Sequence, residues 1–434
     1  MAGAGAGPAL SRVAVVGAGW AGLACAIEAT RAGHAVTVFE AARTLGGRAR
    51  ALPARLPDGR EVVLDNGQHI LIGAYTATLA LMRGIGIDPQ AVLHRMPLAL
   101  RFADGGGLCV PANLPPPLDL LAGILGARGW SWRDKALLLR TALRWRRAGF
   151  RCAPDASVAE LCAGLTPRVR SELMEPLCIS ALNTPIERAS GAVFLRVLRD
   201  ALFAERGGAD LLLPRVDLGA LLPEAAPRWL ARHGAAVRSG ARVQVVAPQE
   251  AGWRVDGKSF DRVVLACSAW ESARLAAGTG LPAAAAWSKT AAALQHEGIA
   301  TVYAMDSIGR SSLATPLLAL RSGPGAPAQF VFDRGQLGGP RGLLAFVVSA
   351  SASERETLQG QVLAQAAAQL GLTALQPVQT VVERRATFAC TPGLLRPSMH
   401  VAPGLLACGD HVEGPYPATI EGAVRSALAA AAGL

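Results

Sequence analysis

The stretch Arg12-Val-Ala-Val-Val16 runs directly into Gly17-Ala-Gly19-Trp20-Ala21-Gly22. It continues as an apolar segment from Leu23 to Ala32, stops at Gly33, and resumes as Ala35-Val-Thr-Val-Phe39 followed by Glu40. The two valine-rich runs read as buried strands and the segment between them as a helix, because a glycine just past the last apolar position is a common helix stop. This is a βαβ unit with G-x-G-x-x-G at its first turn and an acid 18 residues after the last glycine. Gly17 permits the tight turn, Gly19 lets backbone approach a pyrophosphate, and Gly22 lets helix and strand pack closely. At Trp20 and Ala21 the helix start offers free N–H groups and a positive dipole end to that anion. Glu40 is placed to accept hydrogen bonds from ribose hydroxyls, and its charge disfavours a 2′-phosphate. The glycine pattern alone is weak; between strand, helix, second strand and acid it predicts a dinucleotide site.

The rest of the chain is large enough to support this unit and a second domain. It has 434 residues, 51% hydrophobic and 17% charged, which excludes a disordered protein. No apolar stretch reaches the roughly 18 to 20 residues of a membrane span. The nearest, residues 114–127, holds three prolines and Asp119. The opening MAGAGAGPALSR lacks the basic and apolar regions of a signal peptide, so a cytoplasmic protein is expected. The net charge is +11, with lysines only at 135, 258 and 289. Such a balance points to nucleic acid or an anionic membrane surface. The apolar content and the shortage of tyrosine favour the membrane, and no nucleic-acid motif is present. The eight cysteines include no C-x-x-C pair and the seven histidines no metal-ligating cluster, so reduced buried thiols and no metal are expected.

Residues 252–259 match the P-loop expression G-x-x-x-x-G-K-[ST]. A P-loop must follow a strand and open a helix. Here Asp256-Gly257 separates two strand-like runs, so a hairpin is expected instead.

After Glu40 come Arg43 and then Gly46-Gly47-Arg48. In this the chain resembles the flavin-containing amine oxidase and carotenoid desaturase superfamily, which implies FAD as cofactor, with Gly47 and Arg48 wrapped on its pyrophosphate. A cation beside paired glycines is chemically suited to that task. Gly409-Asp410, after the apolar run Gly404 to Cys408, resembles the superfamily's second FAD signature. The resemblance places Asp410 at the ribityl and phosphate region and aims the next helix, from Thr419 and Ile420, at the flavin edge where reduced flavin carries negative charge. Val243 and Gly67 complete the cofactor-binding set. Many relatives have an aromatic residue after Gly-Asp; here it is His411. The implied fold is α/β: a Rossmann-type FAD-binding domain with a central parallel sheet and a β-meander, from residues 10–75, 215–270 and 400–434. An interleaved α+β substrate domain takes residues 76–214 and 271–399.

Four further segments narrow the resemblance: Asp65-Asn-Gly67-Gln68-His69 and on to Tyr75, Glu175 to Pro185 followed by Ala189 to Phe194, Asp210 to Asp217, and Pro417 to Ser426. Together they look like the hydroxysqualene dehydroxylase family, the squalene-associated FAD-dependent enzymes of hopanoid synthesis. That resemblance implies reductive removal of an allylic hydroxyl from hydroxysqualene to give squalene, with hydride from reduced flavin N5 and an electron donor the sequence leaves open. A general acid would help the hydroxyl leave. By analogy His69 is the candidate acid and Gln68 an alternative polar contact; a histidine bonded only to backbone is the structural alternative. Glu175 and Asn183 are placed in the substrate pocket. Competing readings are a carotenoid-type polyene desaturase, a flavin amine oxidase, and a non-enzymatic scaffold with a degenerate flavin site. The scarcity of lysine and tyrosine counts against the amine oxidase, where a lysine near N5 and an aromatic cage are common.

Residues 128–151 hold eight basic residues against the single acid Asp134, interleaved with Trp130, Trp132, Trp145 and leucines. That composition suits an interfacial helix on an anionic leaflet, the alternative being a solvated arginine face over inward leucines. An isoprenoid lipid substrate fits peripheral contact with the inner face of the cytoplasmic membrane.

Overall fold

The computed structural model describes residues 10–204, 206–306 and 313–434. The expectation about the N-terminal leader falls on residues 1–9, outside the described residues.

The quoted βαβ unit forms as expected, with strands Arg12–Val16 and Ala35–Phe39 around helix Trp20–Arg31. The helix begins three residues earlier than the apolar pattern suggested, because Gly19 already has extended backbone and acts as its N-cap. The two strands are parallel, and Val16 stands between Phe39 and Leu265. The sheet runs in the order Ala236–Arg238, Ala35–Phe39, Arg12–Val16, Arg262–Leu265, Leu405–Ala407, with His400–Ala402 added antiparallel at the edge. Five parallel strands therefore come from three distant segments of chain. Both faces are covered, so the strands are apolar runs rather than alternating ones. Helix Trp20–Arg31 packs against the C-terminal helix Ile420–Ala432 and against Ala225–Arg232. Full burial of Leu23, Ile27, Val264 and Val424 in this layer contributes roughly 1.5–3 kcal/mol per large aliphatic side chain.

Residues 246–260 form the three-stranded antiparallel meander, Val246–Gln249, Gly252–Val255 and Lys258–Phe260. Asp256 and Gly257 both have positive φ, +43° and +81°, as a two-residue hairpin turn requires. No helix follows, so the P-loop match is a hairpin.

A separate antiparallel sheet runs in the order Leu317–Ala319, Phe330–Asp333, Leu343–Ser349, His296–Asp306, Leu375–Phe388. Along His296–Asp306 the side chains alternate. Ala300, Val302 and Ala304 pack under helix Arg355–Leu370, whereas Ile299 and Tyr303 face a helical layer from residues 118–204. The core around the parallel sheet also takes in Leu79, Leu81 and Met82 of helix Thr76–Gly84. It thus draws on residues on both sides of position 75.

Within residues 128–151, helix Trp132–Arg147 starts at a capping box made by Ser131 and Asp134. The three tryptophans do not share a face. Trp130 and Trp145 are buried, and Trp130 donates to Glu172 at 2.8 Å; only Trp132 is exposed, at 76%. Leu138 is also buried. An interfacial surface therefore cannot use the whole tryptophan set that the composition suggested.

Candidate active site

The glycines of the first turn have the geometry their roles require. Gly17 has φ +111°, and a Cβ there would lie 2.7 Å from the Ala266 carbonyl oxygen. At Gly22 a Cβ would lie 1.8 Å from the Gly17 oxygen. Gly19 differs: a Cβ would meet only the Cα of Gly47, at 3.9 Å. Two glycine turns therefore lie edge to edge, joined by a bridge between Gly19 and Gly46. Above them helix Trp20–Arg31 begins with no side-chain cap and no acid in its first turn. Its first N–H groups are left for an anion. Trp20 itself turns inward, donating to the Ala49 carbonyl at 3.2 Å, so only its backbone belongs to the cradle.

Glu40 ends the second strand and is held by backbone. Its two oxygens accept from Ala18 N at 2.7 Å and Ala42 N at 2.8 Å, each keeping a further lone pair. Arg43 is exposed in the following turn. Val243 is buried beneath the meander and gives its carbonyl to Arg274 at 2.9 Å.

Arg48 joins segments more than 300 residues apart in sequence. Its Nη2 is 2.5 Å from Asp410 Oδ1, and its Nη1 donates to the Ala386 carbonyl at 2.7 Å. Burial alone would raise the Asp410 carboxyl, but Arg48 and His411 outweigh it and hold it well below the usual carboxylate range. His411 fills the space over Gly409, where a Cβ would lie 2.6 Å from the imidazole, and its Nε2 is buried without a partner.

Residues 66–69 follow the strand Glu61–Asp65. Asn66 donates to the Arg48 carbonyl at 3.3 Å, and Gln68 N donates to Thr301 Oγ1 at 3.3 Å. Gln68 Oε1 is buried and unpartnered. His69 Nδ1 lies 2.7 Å from the Gly67 carbonyl oxygen, which can only accept, so Nδ1 carries the proton and Nε2 a lone pair. Burial lowers the imidazole below its ordinary value; Arg48 adds to this and the Gly67 bond opposes it. At neutral pH His69 therefore offers an acceptor at Nε2, and a proton only below that lowered value.

The C-terminal helix is capped by Thr419, whose Oγ1 accepts from Gly422 N at 3.0 Å. Tyr416 and Ala418, just before it, have φ of +56° and +59°. Non-glycine residues there carry strain of order 1–3 kcal/mol each, a pattern concentrated at ligand-binding loops. Tyr75 meets Tyr416 edge to face at 6.2 Å. Tyr303 is fully buried, bonded to the backbone of Asp65, and Lys135, Lys258 and Lys289 belong to helix Trp132–Arg147, strand Lys258–Phe260 and helix Pro282–Ala292.

The two expected pocket residues part ways. Glu175 is half-buried at the start of helix Glu175–Leu182, and its carboxyl is raised by burial. Asn183 ends that helix with φ +46°, and all its polar atoms are engaged. Its Nδ2 donates to Thr387 Oγ1 at 2.9 Å and Gly298 O at 3.4 Å, and its Oδ1 accepts from Ala350 N at 2.7 Å. It ties helix to sheet.

Sequence reasoning missed Thr301, the Ala386 carbonyl and Glu421. Thr301 was legible as a polar break in an apolar strand. Ala386 acts through backbone and leaves no signal. The uncapped helix start, the open Gly19–Gly47 cradle, the Arg48 cation and two orphaned polar atoms beside it fit a dinucleotide with a pyrophosphate and a polar ring. FAD has that chemistry. Among the described residues no group of side chains could hold a metal ion.

Comparison with known proteins agrees with this geometry. The family described as flavin containing amine oxidoreductase matches residues 20–434. A hydroxysqualene dehydroxylase of Rhodopseudomonas palustris is 29% identical over 96% of the chain and 97% of its own. One from Sinorhizobium fredii is 26% identical over the same shares. An oxidoreductase structure from Methanosarcina mazei superposes with a TM-score of 0.72 at 16% identity, covering 96% of this chain and 99% of that one.

Proposed function

The chain belongs to the flavin containing amine oxidoreductase family and is an FAD-dependent oxidoreductase, and from that premise we propose that it reductively removes the hydroxyl of hydroxysqualene to give squalene, a step of isoprenoid and hopanoid lipid synthesis. The supporting observation is likeness to hydroxysqualene dehydroxylases over nearly the whole length, substrate domain included. When bound, FAD supplies hydride transfer from N5, which no side chain here can perform.

The chain's own residues bind, orient and exclude water. The uncapped start of helix Trp20–Arg31 and Arg48 hold the pyrophosphate, Gly19 and Gly47 admit it, and Glu40 holds a ribose. Gln68 and His69 meet the substrate hydroxyl. In its protonated form His69 gives the leaving oxygen a proton; in its neutral form Nε2 only orients the hydroxyl.

The lipid enters from a membrane surface. Helix Leu118–Leu125 exposes Leu118, Leu121 and Leu125 on one face, next to Trp132, whose ring lies under Lys135. Lys135 bonds the Leu125 carbonyl, which makes the patch continuous. Arg133, Arg140, Arg144, Arg146 and Arg147 follow along helix Trp132–Arg147, all exposed. No helix of the described residues is long and apolar enough to cross a membrane. Exposed leucines and one tryptophan at the start of an arginine-rich helix suit an anionic leaflet.

The deciding experiment is anaerobic. The yellow protein is photoreduced and mixed with hydroxysqualene, flavin absorbance is followed, and lipids are extracted for mass spectrometry. Stoichiometric squalene with returning absorbance is the expected result. Untouched substrate and flavin that stays reduced would overturn it in favour of polyene desaturation by oxidised flavin.

A further inference from the structure

Strand Leu375–Phe388 breaks its pairing with His296–Asp306 at one place. Glu297 faces Thr387 and Ile299 faces Glu383, so Arg384, Arg385 and Ala386 stand opposite Gly298 alone. A bulge bends a strand and re-aims its side chains. Gly298 itself packs against the other neighbouring strand's end, since a Cβ there would lie 2.5 Å from the Ser351 carbonyl oxygen. Consecutive arginines on a regular strand would point to opposite faces. Here both line one cavity of about 360 Å³, with Trp270, Leu294 and His296.

Arg385 lies over the Trp270 ring at 4.7 Å, and Trp270 meets His296 edge to face at 5.4 Å. Both arginines are exposed, and among the described residues no carboxylate is within ion-pair distance of either. The nearby acids face elsewhere. Glu383 accepts from Asn66 Nδ2 and from Arg385 N, and Glu297 pairs with Arg188 at 2.8 Å. The bulge ends at Ala386, whose carbonyl holds Arg48. The cavity thus lies one residue from the ion pair at the cofactor groove. His296 is lowered by burial, then by Arg48 and Arg385, so both cations are felt there.

Two unpaired guanidiniums with an aromatic wall suit a phosphate-bearing aromatic anion. Reductive dehydroxylation consumes two electrons, so it needs a two-electron reductant to reload the flavin. We propose that the cavity of Trp270, His296, Arg384 and Arg385 docks the reductant, a reduced nicotinamide dinucleotide held through its pyrophosphate. This rests on the dehydroxylation reading. The dinucleotide is oxidised by loss of hydride, the substrate C–O bond breaks, a C–H bond forms, and the hydroxyl leaves as water with one proton from solvent.

The FAD-loaded protein is titrated with ADP-ribose by calorimetry, with inorganic pyrophosphate as competitor. It is then mixed anaerobically with NADH or NADPH while flavin absorbance is followed. ADP-ribose should bind, pyrophosphate should compete, and a reduced nucleotide should bleach the flavin. Arg384→Glu with Arg385→Glu should weaken binding and slow bleaching by about tenfold or more, whereas Arg384→Lys with Arg385→Lys should retain most of both. FAD content and photoreduction should stay unchanged. No binding of millimolar ADP-ribose, binding of pyrophosphate alone, or equal binding by the double Glu variant would each overturn the assignment. Bleaching without squalene would leave the cavity standing and overturn dehydroxylation. Squalene from photoreduced protein that binds no nucleotide would do the reverse.

Discussion

Thr78 Oγ1 donates a 2.7 Å hydrogen bond to Glu421 Oε2 across 343 residues of sequence. The same carboxylate accepts from Ala77 N at 3.0 Å and Thr78 N at 2.9 Å, and Arg425 Nε donates to it at 2.7 Å. Glu421, in the first turn of the C-terminal helix and fully buried, therefore caps helix Thr76–Gly84. Glu421→Ala strips a cap from two N–H groups and leaves Arg425 unpaired. The expected loss is about 3 kcal/mol, and Glu421→Gln should lose less. Urea unfolding of the two variants checks this; equal midpoints for Ala and wild type would refute it.

Two glycines of one motif should fail in different ways. At Gly22 an alanine methyl would collide with the Gly17 oxygen at 1.8 Å, so Gly22→Ala should not yield folded protein. At Gly19 the methyl meets only Gly47 Cα at 3.9 Å, so Gly19→Ala should fold normally yet purify colourless. Circular dichroism with the ratio of flavin to protein absorbance separates the two outcomes.

The His69 proton sets a pH limb. Burial lowers this imidazole below 6.5. Its acid form, and the dehydroxylation rate that depends on it, should fall as pH rises through that lowered value. In His69→Gln the limb should vanish and the rate fall by about 10²-fold. A pH profile of single-turnover squalene formation reads this directly; an unchanged limb in the variant would remove His69 as the acid.

Asp65 should give the opposite dependence to an ordinary ion-paired carboxylate. It is buried, and burial raises it to about 6, against the pull of Arg334 and the Leu218 N–H. The folded state binds the proton more tightly than the unfolded one. The associated stability is full below about pH 4 and is lost as pH rises through 6, roughly 3 kcal/mol in all. Asp65→Asn should flatten that fall, measured by unfolding at pH 5, 6 and 7.

Reversal of charge tests the lipid surface. With Arg144, Arg146 and Arg147 changed to Glu, sedimentation with anionic liposomes should drop severalfold, and salt should weaken wild-type binding in the same direction. Unchanged sedimentation would eliminate this face.

How far the sequence could be read follows from where each interaction is local. The βαβ unit and the Asp256-Gly257 hairpin were legible because turn chemistry and apolar period act within a few residues. The tryptophans of residues 128–151 were not, since Trp130 is buried on Glu172, 42 residues away, and Trp145 in a core built from distant segments. Asn183 was singled out by resemblance, and its bonds to Thr387 and Ala350 appear only when distant segments meet. His69 was chosen for its imidazole; the carbonyl that fixes its tautomer belongs to backbone, which a sequence does not display.

The order of the parallel sheet has a consequence for how the protein is made. Arg262–Leu265 sits between Arg12–Val16 and Leu405–Ala407, and the first helix packs on the last. The amino-terminal strands leave the ribosome first and wait for partners that are synthesised hundreds of residues later. Until then the part of helix Trp20–Arg31 that packs on Ile420–Ala432 has nothing to cover it, and Asp410 is not there to meet Arg48. The flavin can therefore be captured only once the chain past residue 410 has emerged, and a message truncated before residue 400 gives a chain fit for chaperones or proteolysis rather than a smaller enzyme.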